Sequence, residues 1–260
     1  MKISVLSSGS SGNAFYVENE GNGKAILLDC GISCKRVEER LSSINRNPKS
    51  IKRIFLTHEH SDHIKGTDVF ARKFNIPIFA TKKIIDSNFL CGDSNLLNSI
   101  KNDETTKIIG LDVTAFPKSH RSVDPVSFSI FDSKQNKTLS IITDAGYACK
   151  NICNNVSISN FLCIESNHDL EMLEKGPYPW HIKKWIKSDN GHLSNIQAAN
   201  CIAEHATKKL KNIILSHLSE HNNTSEKALN AFSYMFKQRK DISSKLYYSL
   251  KFSATPLFKV

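Results

Sequence analysis

The sequence predicts a layered α/β fold: two sheets packed face to face, with helices on their outer faces. Three observations carry this expectation. Short apolar runs of strand length recur along the 260 residues. Segments with the 3.6-residue apolar period are fewer and lie between some of those runs. No internal repeat, charge block or long Pro/Gly/Ser stretch divides the chain, so the expectation is one domain over 1–260 with no inserted cap.

In chain order, strands are expected at 2–6 (KISVL), 14–17 (AFYV), 25–29 (AILLD), 53–57 (RIFLT) and 76–80 (IPIFA). Five more are expected at 111–116 (LDVTAF), 125–131 (PVSFSIF), 139–143 (LSIIT), 161–165 (FLCIE) and 212–216 (NIILS). A helix is expected from about Ser33, with Val37, Leu41 and Ile44 on one side. A second follows His63, with Phe70 and Phe74 a turn apart, and stops before Pro77. A third follows Ser194, with Ala199, Ile202, Ala203 and Ala206 in phase, and a fourth follows Thr224, with Ala228, Phe232 and Phe236. Ser194 with Gln197 reads as a capping box.

The formal net charge is +10, which suits a polyanionic partner or a merely solubilising lysine-rich surface. The opening MKISVLSSGS is too short an apolar run for a signal peptide, and no segment approaches ~18 consecutive apolar residues. The expectation is a cytoplasmic protein with no membrane partner. The seven cysteines are odd in number and none is spaced C-x-x-C, which argues against a disulfide framework or a zinc knuckle.

The strongest chemical signal is IFLTHEHSDH, residues 54–63. An apolar strand ends at Thr57, and His58, His60, Asp62 and His63 follow at once. Imidazole and carboxylate are the ligands of a borderline divalent metal. Alternation sends His58 and His60 one way while Asp62 and His63 turn into a helix, so one turn can serve two neighbouring metals. Three other strand ends offer the same residue types after a small hydroxyl residue: His120 in FPKSH, Asp144 in SIITDAGY and His217 in IILSHLS.

This order, H-x-H-x-D-H, then His, Asp and His, resembles the metallo-β-lactamase superfamily. The resemblance implies a four-layer αββα sandwich of two mixed sheets with a two-metal site at one edge. It implies His58, His60 and His120 on one ion, Asp62, His63 and His217 on the other, Asp144 bridging, and Asp29 in LLDCG orienting the ligand loop. SSGSSGNAFYVE, THEHSDHIKG, ITDAGY, ESNHDLEML, GPYPWHIKKWIKSDNGHLSN and HLSEHNN are similar to the YycJ/WalJ branch, from Ser7 to Asn223. There an Asp usually follows the third metal histidine. Here Arg121 follows His120, so either Asp124 orients His120 or Arg121 contacts a phosphate.

The ions implied are zinc, with manganese as the alternative. Two such ions about 3.5–4 Å apart generate a bridging hydroxide at neutral pH and clamp attacking and leaving oxygens. His60, where diiron redox relatives carry Glu, favours hydrolysis. The resemblance suggests a 5′-to-3′ exonuclease, on DNA rather than RNA. The rival reading is a thioester or lactone hydrolase, and a third is a binding protein that lost catalysis. Asp62, Asp144 and His192 are the catalytic candidates. His192 stands before a helix N-terminus and can bind phosphate or protonate the leaving oxygen. Glu165 can orient His192 or a ligand histidine, and His168 is a further supporting candidate. Lys184, among three lysines and two tryptophans at 180–187, is a phosphate contact if that stretch is not simply packing aromatics and a solvated face; Ser194 joins it as a substrate contact. The loop SSGSSGN (7–13), flanked by strands, is a plain turn or an oxyanion cradle built from Ser8, Ser10 and Asn13.

Overall fold

The computed structural model describes residues 1–90 and 92–260; Cys91 lies outside the described residues. Six strands of the first half, β1 (Lys2–Ser7), β2 (Ala14–Glu18), β3 (Ala25–Leu28), β4 (Ile51–Phe55), β5 (Ile78–Thr81) and β6 (Leu97–Ile100), form one sheet. They lie in sequence order, with β14 (Phe258–Lys259) added beside β1. The second sheet runs β7 (Thr105–Ile108), β8 (Leu111–Pro117), β9 (Val126–Asp132), β10 (Lys137–Ile142), β11 (Phe161–Glu165), β12 (Asn212–Ser216), β13 (Lys245–Tyr248). Both sheets are mixed. β1–β2–β3 and β7–β8–β9–β10 are antiparallel hairpins, and β3–β6 and β10–β13 are parallel.

The period-2 alternation of side chains sorts each strand between two cores. Phe15, Val17, Ile26 and Leu28 meet Phe128, Ile130, Ile141, Phe161 and Cys163 between the sheets. The alternate residues Tyr16 and Leu27 face outward onto α1 (Cys34–Ser43) and α3 (Thr67–Phe74), through Val37, Leu41 and Phe70. On the other side Leu162, Ile164, Ile213 and Leu215 face α5 (Lys150–Ile158), α8 (Asn195–His205) and α9 (Ser225–Gln238). Burial on both faces explains why these strands read as unbroken apolar runs. The result is the expected αββα layering.

The predicted helices form with their caps. Ser33 and Thr224 cap α1 and α9, and the Ser194–Gln197 capping box opens α8. The helix expected after His63 is split into α2 (Ser61–Ile64) and α3, because Gly66 passes against the 30–32 loop. Its N–H donates to the Cys30 carbonyl at 2.8 Å, and a Cβ there would lie 1.9 Å from the Ile32 oxygen. Asn75, left-handed at φ 52°, ends α3 before Pro77.

Several elements carried no readable signal. α4 (Lys82–Asp86), α6 (Leu170–Lys175) and α7 (Trp180–Ile186) each bury a single side chain, and α5 only Ile152 and Val156. β7 and β13 are four-residue edge strands with no fully buried side chain. Among the described residues every cysteine is a free thiol, and no helix is long and apolar enough to cross a membrane.

Phe128 is buried between the sheets with its ring 5.6 Å edge-on to Phe55. Phe128→Ala should therefore cost about 3–5 kcal/mol, read as a lower denaturant midpoint with little change in slope.

Candidate metal centre

The predicted site residues sit at the carboxyl ends of strands that emerge along one edge of the sandwich. Asp29 follows β3, Thr57 and His58 follow β4, His120 follows β8, Asp144 follows β10 and His217 follows β12, while Glu165 is the last residue of β11. Three of these residues bend their strand ends sharply: Asp29, Asp144 and His217 have φ of 57°, 51° and 53°. Left-handed backbone in non-glycine residues is uncommon and costs free energy, so surrounding contacts must hold it.

His58, His60 and His120 converge, with one nitrogen from each within 4.8 Å of the others. The outer atoms of His58 and His120 are fixed. The Thr57 hydroxyl donates to Asp29 (2.9 Å), leaving its oxygen to accept from His58 Nδ1 at 2.9 Å. His120 Nδ1 donates to the Gly191 carbonyl at 3.1 Å. Asp124, the expected partner of His120, instead lies 3.6 Å from Lys83 Nζ. A backbone oxygen has taken that role. The inward atoms are crowded: His60 Nδ1 is 3.1 Å from His58 Nε2 and 3.3 Å from His120 Nε2. With His58 and His120 protonated on their outer atoms, their inward lone pairs both face His60 Nδ1, an arrangement that a shared cation fits.

Asp62, His63, Asp144 and His217 make the second group, also within 4.8 Å. His63 Nδ1 donates to Asp29 at 2.7 Å and His217 Nδ1 to Glu165 at 2.9 Å. The Nε2 of His63 then lies 3.1 Å from Asp144 Oδ2 and 3.4 Å from Asp62 Oδ2. His217 Nε2 is buried with no hydrogen-bond partner. Four imidazoles are thus held by hydroxyl, carbonyl or carboxylate groups that aim the opposite nitrogen inward, as metal-binding histidines require. The donor set and this orphaned nitrogen fit a pair of divalent cations.

The protein's own field points the same way. Burial alone would push His63 and His217 toward neutrality. Asp144, with Asp29 and Asp62 at His63 and with Glu165 and Asp62 at His217, outweighs it, raising His63 well above the usual range and His217 to about 9. Burial, His63 and Lys118 depress His58, which has no carboxylate so near. Burial would raise Asp144 and Glu165, but His217 and His63 hold Asp144 well down, and His192 and His217 draw Glu165 to about 2. The edge therefore keeps its carboxylates ionised, which favours a bound cation.

His192 lines the same pocket of about 250 Å³, beside Asp62, Asp144, His217, Tyr178 and Trp185. Its Nδ1 donates to Glu165 Oε1 at 2.7 Å, so Glu165 orients both His192 and His217. Ser10 also lines the pocket. Ser8 and Asn13 do not face it, contrary to the expectation of a substrate cradle. Ser8 Oγ accepts the His217 N–H at 2.8 Å and donates to Asn13 Oδ1 at 3.1 Å. Asn13 Nδ2 donates to Asp62 Oδ2 at 3.2 Å and lies 3.0 Å from His63 Nε2. The loop grips the ligand residues because its buried amide and hydroxyl must find partners. Ser194 is likewise turned inward: its hydroxyl is taken by Gln197 in the cap. Arg121 and Lys184 are exposed and outside the pocket lining, so neither reaches it in this conformation. His168 is buried with both ring nitrogens unpartnered, and it touches none of the ligand residues through a hydrogen bond. Thr57, Gly191 and Lys118 escaped the sequence reading. Lys118 is buried and donates to the Thr143 carbonyl next to Asp144. Thr57 was visible in the recurring hydroxyl-then-ligand pattern, whereas a backbone carbonyl and a single lysine carry no such mark.

The metallo-beta-lactamase superfamily profile matches residues 8–178. Over the whole chain and 98% of the relative's length, 36% of residues are identical to exodeoxyribonuclease WalJ of Streptococcus pneumoniae (strain D39). Exodeoxyribonuclease YycJ of Bacillus anthracis is also 36% identical, over 92% of this chain and 90% of its own. Among solved structures, the metallo-beta-lactamase fold protein YhfI of Bacillus subtilis superposes with a TM-score of 0.72 at 15% identity, covering 98% of each chain. The chain belongs to the metallo-beta-lactamase superfamily. Within it, the chain falls in the branch of the WalJ and YycJ proteins.

Because Ser8 and Asn13 hold ligands while Ser10 faces the pocket, Ser8→Ala and Asn13→Ala should each lower bound metal, about 10-fold or more in affinity. Ser10→Ala should leave metal content unchanged. Elemental analysis after dialysis against buffered metal checks both. Gly31 gives a harsher test: a Cβ there would sit 1.6 Å from the Asp62 carbonyl. Gly31→Ala should displace the ligand loop and strip metal.

Proposed function

We propose that this chain is a metal-dependent phosphodiesterase that shortens DNA, working from the 5′ end. The observation that carries this reading is two convergent ligand groups sharing one pocket with a Glu165-held His192. Support comes from the full-length relatives named exodeoxyribonucleases and from the net charge of +10, which suits a polyanion.

His58, His60 and His120 would hold one divalent ion, Asp62, His63 and His217 the other, and Asp144 would be shared. Bound ions supply an activated water near neutral pH and offset charge building on the phosphoryl group. Zinc is the proposed metal for this imidazole-rich set and manganese the alternative. The protein's own contribution is orientation. Asp29, Thr57, Gly191, Glu165 and Asn13 hold the ligand rings and carboxylates in register. Glu165 fixes His192 with Nε2 toward the pocket, from which it can hand a proton to the leaving oxygen. DNA as substrate and the free thiols of the described residues suit a reducing cytoplasm.

Asp144→Asn and His60→Ala should abolish release of nucleotides from end-labelled DNA by metal-replete protein. Persistence of digestion in both would remove this pocket from the reaction. His192→Ala should slow turnover by about 10²–10⁴-fold with metal content kept. Binding should weaken steeply with salt, whereas a thioester or lactone hydrolase would show little salt dependence. Chelation should lower thermal stability by about 2–3 kcal/mol at metal levels 100-fold over Kd, and metal should restore it.

A further inference from the structure

Two exposed aromatic side chains each carry a lysine over one face and are joined to the pocket lining through their neighbours. Trp180 opens α7 and is 74% exposed, and Lys184 Nζ lies 5.1 Å from its ring centroid. Phe252 is 66% exposed, with Lys251 Nζ at 4.7 Å. An indole and a phenyl ring left this bare forgo burial energy of the order of a kcal/mol or more each.

Both pairs connect to the pocket rim through contacts. α7 lends Ile182, Trp185 and Ile186 to the pocket wall. The pocket residue Tyr178 sits 5.8 Å edge-on to His221, which adjoins Glu220. Glu220 binds Lys251 and accepts from Ser11 at 3.4 Å, next to the pocket residue Ser10. Trp180, Tyr178, His221 and Phe252 thus belong to one strip bordering the metal edge.

Charge along the strip selects the partner. Lys187 pairs with Glu174, and Lys183 donates to the Glu174 carbonyl, but Lys184 has no carboxylate partner among the described residues. Glu220 pins Lys251 against Phe252, so that pair offers chiefly a ring face. Flat apolar faces spaced beside a free cation match unstacked bases on a phosphate backbone, a combination that a folded protein partner or a paired duplex does not present.

We propose that this strip is a track for a single-stranded stretch of nucleic acid leading to the pocket, with Trp180 and Phe252 as stacking platforms and Lys184 as a phosphate contact. The inference rests on the nuclease reading above and names the form of nucleic acid that reading leaves open. A strand lying on the track places its terminal phosphodiester at the pocket while the following bases stack outside.

The test measures fluorescence anisotropy of a phosphorothioate-blocked, dye-labelled single-stranded oligonucleotide with metal-loaded wild type, Trp180→Ala, Phe252→Ala and Lys184→Gln. Digestion of unmodified DNA by the wild type is followed in parallel. Each alanine variant should bind about fivefold or more weakly, and Trp180→Phe should recover most of the loss. Lys184→Gln should reduce the salt slope by about one. Because these side chains are exposed, melting temperatures should not move. If the wild type digests DNA and both alanine variants bind within twofold of it, the track is wrong and the nuclease reading stands. If the metal-loaded wild type neither binds nor digests DNA, the nuclease reading fails first.

Discussion

The structure turns on a concentration of negative charge that water cannot reach. Asp29, Asp144 and Glu165 are buried at one edge of the sandwich, with Asp62 at its rim. Ionised carboxylates cannot stay in such a place unpaired, because the lost hydration costs several kcal/mol each. Imidazoles answer part of the demand. Asp29 takes His63 and the Thr57 hydroxyl, and Glu165 takes His192 and His217. What remains is an electrostatic well lined with inward-pointing nitrogens. The same carboxylates that hold the rings thus create the need for a cation and fix where it sits.

That constraint explains features that look costly in isolation. Three strand ends take left-handed backbone at non-glycine residues. Each carries an end residue that must leave its strand and enter the cluster within one residue. The loop 8–13 reaches across to Asp62, His63 and His217 with an amide and a hydroxyl, and Gly31 lets backbone approach backbone under Asp62. A bond to a buried charged network is worth more than one at the surface, since removing either partner strands the other. The two ligand groups are unequal in this respect. The second draws on carboxylates both inside and behind it, while the first is three imidazoles, two of them held by a hydroxyl and a carbonyl, with buried Lys118 nearby.

The two-sheet architecture also sets the division of labour along the rim. Carboxyl ends of the strands deliver the clustered histidines and carboxylates, and α7, a short helix with little core of its own, lines part of the pocket. A helix that buries one residue carries almost no packing duty. Its exposed side is free to meet a substrate, and α7 carries the bare Trp180 there.

By itself the sequence determined the layering, the strand runs through the core, the four capped or periodic helices and the histidines and carboxylates that gather at the edge. These are local facts. A strand buried on both faces is an apolar run, and a strand end is marked by the hydroxyl and ligand residue that follow it. Only the tertiary structure decided which way the SSGSSGN loop turns, because Ser8 meets His217 and Asn13 meets Asp62 across long stretches of chain. It also decided that a Gly191 carbonyl, not Asp124, holds His120, and that Ser194 spends its hydroxyl on its own helix. Backbone oxygens look alike in every residue, and a side chain's direction at a turn follows from which distant group claims it. Those choices exist only once the two sheets are closed on each other.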